Sequence, residues 1–217
     1  APTWVSKKKV LGVKAAIRAG ADVIILDDGF QNMSVHKDLS IVVADTNLGF
    51  GNERIIPAGP LREKLTSGLN RMDIFISIGS TKNQKEFIKK YDYLISKKNH
   101  IEAEIIPLDT GMNWDNLRVS AFAGIGNPDK FFHTLQNLGA EIVLKKTLAD
   151  HQKFDTKMLT RLESEALAIN AQLVTTEKDA VRLPINFRKE ILVLPVRLEI
   201  NDWSMLDKAL KIILSKN

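Results

Sequence analysis

Apolar residues recur along the chain at two periods, and the two alternate. Val10, Val13 and Ile17 fall at helical spacing and Gly20 follows them, which predicts a helix over 6–19 that stops at the glycine. Val23 to Leu26 is instead a short, continuous, mostly β-branched run of the kind buried on both faces in parallel sheets. Leu39 to Ala44 and Ile74 to Ile78 repeat it, with a Gly- and Pro-rich loop at Gly49 to Pro60 between them. A helix over Gln84 to Lys98 then leads to a strand over Ile101 to Leu108. From Arg118 a second set begins. It runs as strand Val119 to Ala123, helix Asp129 to Leu138, strand Glu141 to Lys145, helix Thr156 to Ile169 and strand Gln172 to Thr175. Ile191 to Val196 is the last strand, and Trp203, Leu206, Leu210 and Ile213 draw one face of a final helix. Asn127 before Pro128 reads as an N-cap with Pro at the first helical position, and Gly139 as the matching stop.

Strands alternating with such helices predict βαβ units, parallel sheets and an α/β fold. Gly111 and Asn113 interrupt the pattern, so the expected division is a first domain at 1–114 and a smaller α/β lobe at 115–217. No apolar run approaches the roughly 18 residues of a bilayer span. The absence of cysteine excludes disulfides and thiolate chemistry and fits a reducing compartment, with the cytosol as the default. With 31 Lys and Arg against 26 Asp and Glu, the net charge of +5 admits anionic partners without choosing among phosphorylated ligands, acidic lipid and nucleic acid.

Four segments could carry chemistry. In VIILDDGFQN a buried-strand pattern runs straight into Asp27 and Asp28, placing two carboxylates where open α/β sheets bind ligands. Both acids can face one metal only if the chain turns at Gly29, and the same residues can equally cap a turn. In GFGNERIIPAGPLRE a conformationally restricted loop ends in Arg62 and Glu63, a guanidinium fork for phosphate beside a carboxylate for a metal shell, or a solvated ion pair. In ADHQKF, Asp150 and His151 follow a strand, where a histidine can move protons or merely cap. TTEKD adds Lys178 at a further strand end, for phosphate or for a neighbouring acid. His36, His100 and His133 read as surface residues. The lysines between Lys82 and Lys98 read as a solvated helix face; Phe87, Tyr91 and Leu94 could alternatively rest that helix on an acidic membrane.

Taken in order, DDGFQN, GFGNERIIPAGPLRE, FAGIGNPDKFFHTLQNLGAE, DHQKF and TTEKDAVRL resemble the bacterial tetraacyldisaccharide 4'-kinases, the lipid A 4'-kinase family. The resemblance runs from about residue 2 to 183 and implies a partial P-loop kinase core with a second lobe. It implies transfer of the ATP γ-phosphate to the 4'-hydroxyl of a tetraacylated disaccharide 1-phosphate, giving lipid IVA. ATP and Mg²⁺ are the implied cofactors. The implied setting is peripheral, on the anionic cytoplasmic face of the inner membrane, with no nucleic acid. By position, Asp27 and Asp28 match the family's acidic pair at the Mg²⁺ and phosphate site, Arg62 and Glu63 its active-site Arg-Glu, and His151 its catalytic-site histidine; the resemblance assigns Asp27 and Glu63 to the metal, Asp28, Arg62 and His151 to catalysis, and Lys178 to the nucleotide. No G-x-x-x-x-G-K-[ST] occurs in the 217 residues. Family members carry that cradle, and a Gly-Asp-Glu-Pro segment with the catalytic base, in a portion expected before Ala1. The chain thus resembles the C-terminal two-thirds of the enzyme and is expected to be inactive alone. A metal-dependent phosphohydrolase built on the two aspartates, or a non-catalytic lipid-surface module, are the alternatives.

Overall fold

The computed structural model describes residues 1–149 and 152–215. The chain forms two compact units, one from Ala1 to Glu104 with the residues from Glu199 onward, the other from Ile105 to Leu198. The first contains α1 (Lys9–Arg18), β1 (Ile41–Asp45), α2 (Leu65–Arg71), β2 (Ile74–Ile78) and α3 (Thr81–Ile95), and most of β3 (His100–Pro107). The second contains β4 (Arg118–Ala123), α4 (Pro128–Asn137), β5 (Glu141–Thr147), α5 (Thr156–Ala168), β6 (Gln172–Thr176), the short α6 (Glu177–Ala180) and α7 (Ile185–Arg188), and β7 (Leu192–Leu194). After Pro195 the chain runs through β8 (Val196–Ile200) to α8 (Ser204–Leu214) in the first unit. Two features of the C-terminal part depart from the sequence expectation. The C-terminal helix clusters with the first unit rather than the second lobe, and the single strand expected over 191–196 is two strands, because Pro195 has no N–H for a ladder.

The first sheet has the order β1-β2-β3-β8, with β1 to β2 and β2 to β3 parallel and Ile41 opposite Ile74. Phe75 from β2 packs with Phe50, Leu69, Phe87, Tyr91 and Ile95, and the Phe50 and Tyr91 rings meet edge to face at 4.9 Å. Phe87 and Tyr91 are therefore interior, and Leu94 packs against the same cluster, which corrects the membrane-resting alternative for α3. Tyr91 also accepts a hydrogen bond from the Phe50 amide, and a Cβ on Gly49 would lie 2.7 Å from the Tyr91 hydroxyl. The Gly49 to Pro60 loop is thereby anchored to the core at its start.

The second sheet has the order β5-β4-β6-β7, with β4 paired in parallel to both β5 and β6 and β6 in parallel to β7. Side chains alternate along β4, so Val119, Ala121 and Ala123 pack with Phe131, Phe132 and Leu135 of α4. Phe122 points the other way, among Leu159 and Leu162 of α5 and Phe187 of α7. Helices thus cover both faces, as a parallel sheet requires. Pro128 opens α4 and Gly139, at φ 92, follows it as expected, but the Asn127 side chain makes no cap hydrogen bond.

Candidate functional site

In the first unit, Val23 to Leu26 lies outside every sheet ladder among the described residues, with Ile25 90% exposed. The chain then turns at Asp27 and Asp28. Asp28 has φ 47, a left-handed conformation that Asp tolerates better than most residues. Gly29 follows where a Cβ would sit 2.5 Å from Leu26 Cβ, so only glycine fits, and the Asn32 amide donates back to the Gly29 carbonyl. Lys9 Nζ ties the turn to α1 by donating to the Asp27 carbonyl at 2.6 Å.

The second loop closes on itself. The Ile56 amide donates to Leu61 O and the Leu61 amide to Arg54 O, while Asn52 donates to Ala58 O. A Cβ on Gly59 would fall 2.4 Å from the Arg54 carbonyl. This closure delivers Arg62 and Glu63 beside the acidic turn, where the adjacent side chains take different partners. Arg62 Nη1 donates to Asp28 Oδ2 at 3.1 Å, both groups more than half exposed. Glu63 receives a two-pronged bond from Arg71 at the end of α2, at 2.5 and 2.9 Å. That bond, ahead of the opposing effect of burial and with smaller help from the Arg71 charge and Gln31, holds the Glu63 carboxyl below its ordinary range.

Asp28 and Arg62 are thus brought together, while Glu63 is bonded to Arg71. No three carboxylate or imidazole groups converge among the described residues, and both Glu63 oxygens are engaged by Arg71. His100, read from sequence as a surface residue, is half-buried instead. Its Nε2 lies 2.7 Å from Ser77 Oγ, and Ser77 donates to Gln84 Oε1. Gln84 Nε2 donates to two backbone carbonyls, leaving its Oε1 as the acceptor for Ser77, so His100 Nε2 must be the donor to Ser77. The sequence hid this trio because its members lie on β2, α3 and β3.

In the second unit the strand order reverses between β4 and β6, a topological switch point whose carboxyl ends carry Gly124 to Asn127 and Thr176 to Asp179. Lys178 is exposed on α6. Its neighbour Asp179, which sequence reasoning passed over, is fully buried and accepts from the Gly124 amide at 2.8 Å, from Thr176 Oγ1 and from Arg182 Nη1. The Thr-x-x-Asp spacing, a helix-capping signature, could have found it. Arg182 reaches on to the Gln152 carbonyl and lies over the Phe154 ring. Three segments distant in sequence, at Gly124, at Gln152 to Phe154 and at Thr176 to Arg182, are therefore joined around one buried carboxylate. His151 lies outside the described residues.

A family model described as tetraacyldisaccharide-1-P 4'-kinase matches residues 1–215. The tetraacyldisaccharide 4'-kinase of Dinoroseobacter shibae is 50% identical over 209 residues, covering 96% of this chain and 62% of the relative. That of a Jannaschia species is 49% identical over 215 residues, covering 99% and 65%. Among solved structures, LpxK from Aquifex aeolicus in complex with ATP aligns with a TM-score of 0.67 at 22% identity, over 94% of this chain and 61% of that one, a likeness of fold. The chain spans less than two thirds of the length of these relatives.

Proposed function

The chain belongs to the tetraacyldisaccharide-1-P 4'-kinase family, and we propose on that premise that it serves ATP-dependent phosphorylation of the 4'-hydroxyl of a tetraacylated disaccharide 1-phosphate, giving lipid IVA. The observation that carries the reading within the chain is the meeting of the acidic turn and the Arg-Glu loop at Asp28 and Arg62. Phosphoryl transfer needs little covalent help from protein. It needs reactants held in line and charge neutralised on the transferring oxygens. Arg62 supplies a planar cationic fork that is accessible to solvent and held, among the described residues, by one carboxylate, so a phosphate oxygen can compete for it. Asp28 orients that fork in the resting state. In this proposal His151 supports the carboxylate that activates the sugar hydroxyl, and Lys178 serves the nucleotide.

Magnesium would supply charge neutralisation at the nucleotide phosphates. Bound to nucleotide phosphates, that ion needs one or two protein carboxylates, and in this proposal Asp27 and Glu63 would act on it or its waters, Glu63 while bonded to Arg71. The proposed setting is the cytoplasmic face of the bacterial inner membrane. Four acyl chains hold such an acceptor in the bilayer, since each buried methylene contributes about 0.8 kcal/mol. The enzyme must therefore meet it at an anionic surface. No described helix is long and apolar enough to cross a membrane.

The test is phosphate transfer from ATP to the acceptor by the product of the complete reading frame. Arg62→Gln is expected to lower kcat by about 10²-fold or more, the scale for losing one donor to developing charge. Unchanged turnover would remove Arg62 from the phosphate site. Magnesium-dependent phosphate-ester hydrolysis by these 217 residues alone would favour a phosphohydrolase instead.

A further inference from the structure

We propose that Arg71 is a positioning residue, which grips Glu63 and Phe30 at once and so locks the Arg-Glu loop and the acidic turn to the sheet. Its guanidinium meets both Glu63 oxygens edge-on, and its carbon centre lies 4.9 Å from the centroid of the Phe30 ring. Phe30 belongs to the DDGFQN turn and Glu63 to the PAGPLRE loop, so one side chain joins two segments that are also linked by the exposed Arg62 and Asp28 pair and by Gln31 to Glu63. The base beneath Arg71 is firm. Met72 is buried, and Asp73 accepts from the Ser40 amide through its carboxylate while its own amide donates to Ser40 O, at the start of β1. Gly68 brings α2 close, since a Cβ there would stand 3.5 Å from Glu63 and 3.6 Å from the Phe30 ring.

Only arginine has the shape for this. Its plane can place two parallel N–H bonds on a carboxylate while its face lies against a ring; a lysine ammonium offers a point charge and no face. The bland alternative is a partly exposed ion pair of little consequence, for which charge alone would suffice. The two differ in what Arg71→Lys does.

The activity readout rests on the kinase reading above, so the test has two arms. In the product of the complete reading frame, Arg71→Gln and Arg71→Lys are both expected to lower kcat by about 10- to 100-fold, the scale for misplacing a reacting group by about an ångström. KM for ATP should stay within about threefold, because uniform binding is not what is lost. Arg71→Gln combined with Glu63→Gln should be no slower than Glu63→Gln alone, as expected for residues acting as one unit. Arg118→Gln, which breaks an exposed pair with Glu141 in the second unit, should leave turnover unchanged. In these 217 residues, amide exchange at Asn32, whose N–H closes the acidic turn, should accelerate in both Arg71 variants. Wild-type exchange and wild-type kcat in Arg71→Lys would overturn the proposal. If the wild-type protein makes no 4'-phosphate at all, the kinase reading fails, and the exchange arm alone decides Arg71.

Discussion

Two short apolar runs, Val119–Ala123 in the second unit and Val23 to Leu26 in the first, read alike in the sequence and end differently. Every residue of the first is buried, with Phe122 1% exposed, whereas Ile25 in the second is 90% exposed. The cause is the neighbours. β4 has a parallel strand on each side, α4 on one face and α5 with α7 on the other. Val23 to Leu26 has no ladder among the described residues, and Ile41 and Val43 on β1 are exposed too. A β-branched run states how much it gains from burial; topology decides whether burial is available.

The carboxylates of the two units diverge in the same way. Asp179 is interior, accepts from an amide, a hydroxyl and a guanidinium, and organises three segments of its unit. Asp28 is exposed, strained into a left-handed turn, and held by one guanidinium that solvent also reaches. Three of the roughly four acceptor sites of Asp179 are filled inside its unit, whereas Asp28 faces solvent on its turn, which is why we propose a phosphate-site role for the Asp28 and Arg62 pair and a structural one for Asp179.

The largest expected effect comes from emptying the closed sheet. Phe122→Ala should lower stability to urea by about 3–5 kcal/mol through lost transfer energy and the cavity left behind. Asp179→Ala should come next, with a loss of about 3 kcal/mol for stranding Arg182 and the Gly124 amide. A loss under about 1 kcal/mol would mean that water replaces the carboxylate, and would dissolve the contrast with Asp28. A pH effect follows from His100. Burial holds its imidazole below the usual range, with Glu102 pulling the other way. The unfolded chain therefore binds this proton more readily than the folded one. The stability it contributes is complete above the ordinary value of 6.5 and is lost as pH falls through the lowered folded value. Melting temperature should fall as buffers are taken below that point, and His100→Gln should flatten the slope. Smallest of all, Ile25→Asn should change stability by less than about 0.5 kcal/mol, as an exposed site does. A large loss there would show that the run is buried after all.

Much of the fold was legible because α/β units repeat a simple rhythm. β2, β4, α4, α5 and β6 fall where periodicity puts them. α2 was missed because LTSGLNR carries a mid-helix glycine and no capping side chain. In the site, the order of the motifs pointed to Asp28 and Arg62, and the structure joins them. It could not reveal that Arg62 and Glu63 part company, since Arg71 lies on a helix the periodicity did not show. Asp179 was hidden in TTEKD behind the more conspicuous Lys178, because charge is visible in a sequence and burial is not.

The most direct measurement follows labelled phosphate from ATP to the 4'-hydroxyl of the tetraacylated disaccharide 1-phosphate, using the product of the complete reading frame and its Asp28→Asn variant, each checked for an unchanged melting temperature. The account predicts labelled product from the first and about 10²-fold less from the second. Equal rates from the two, or no transfer by either, would contradict it.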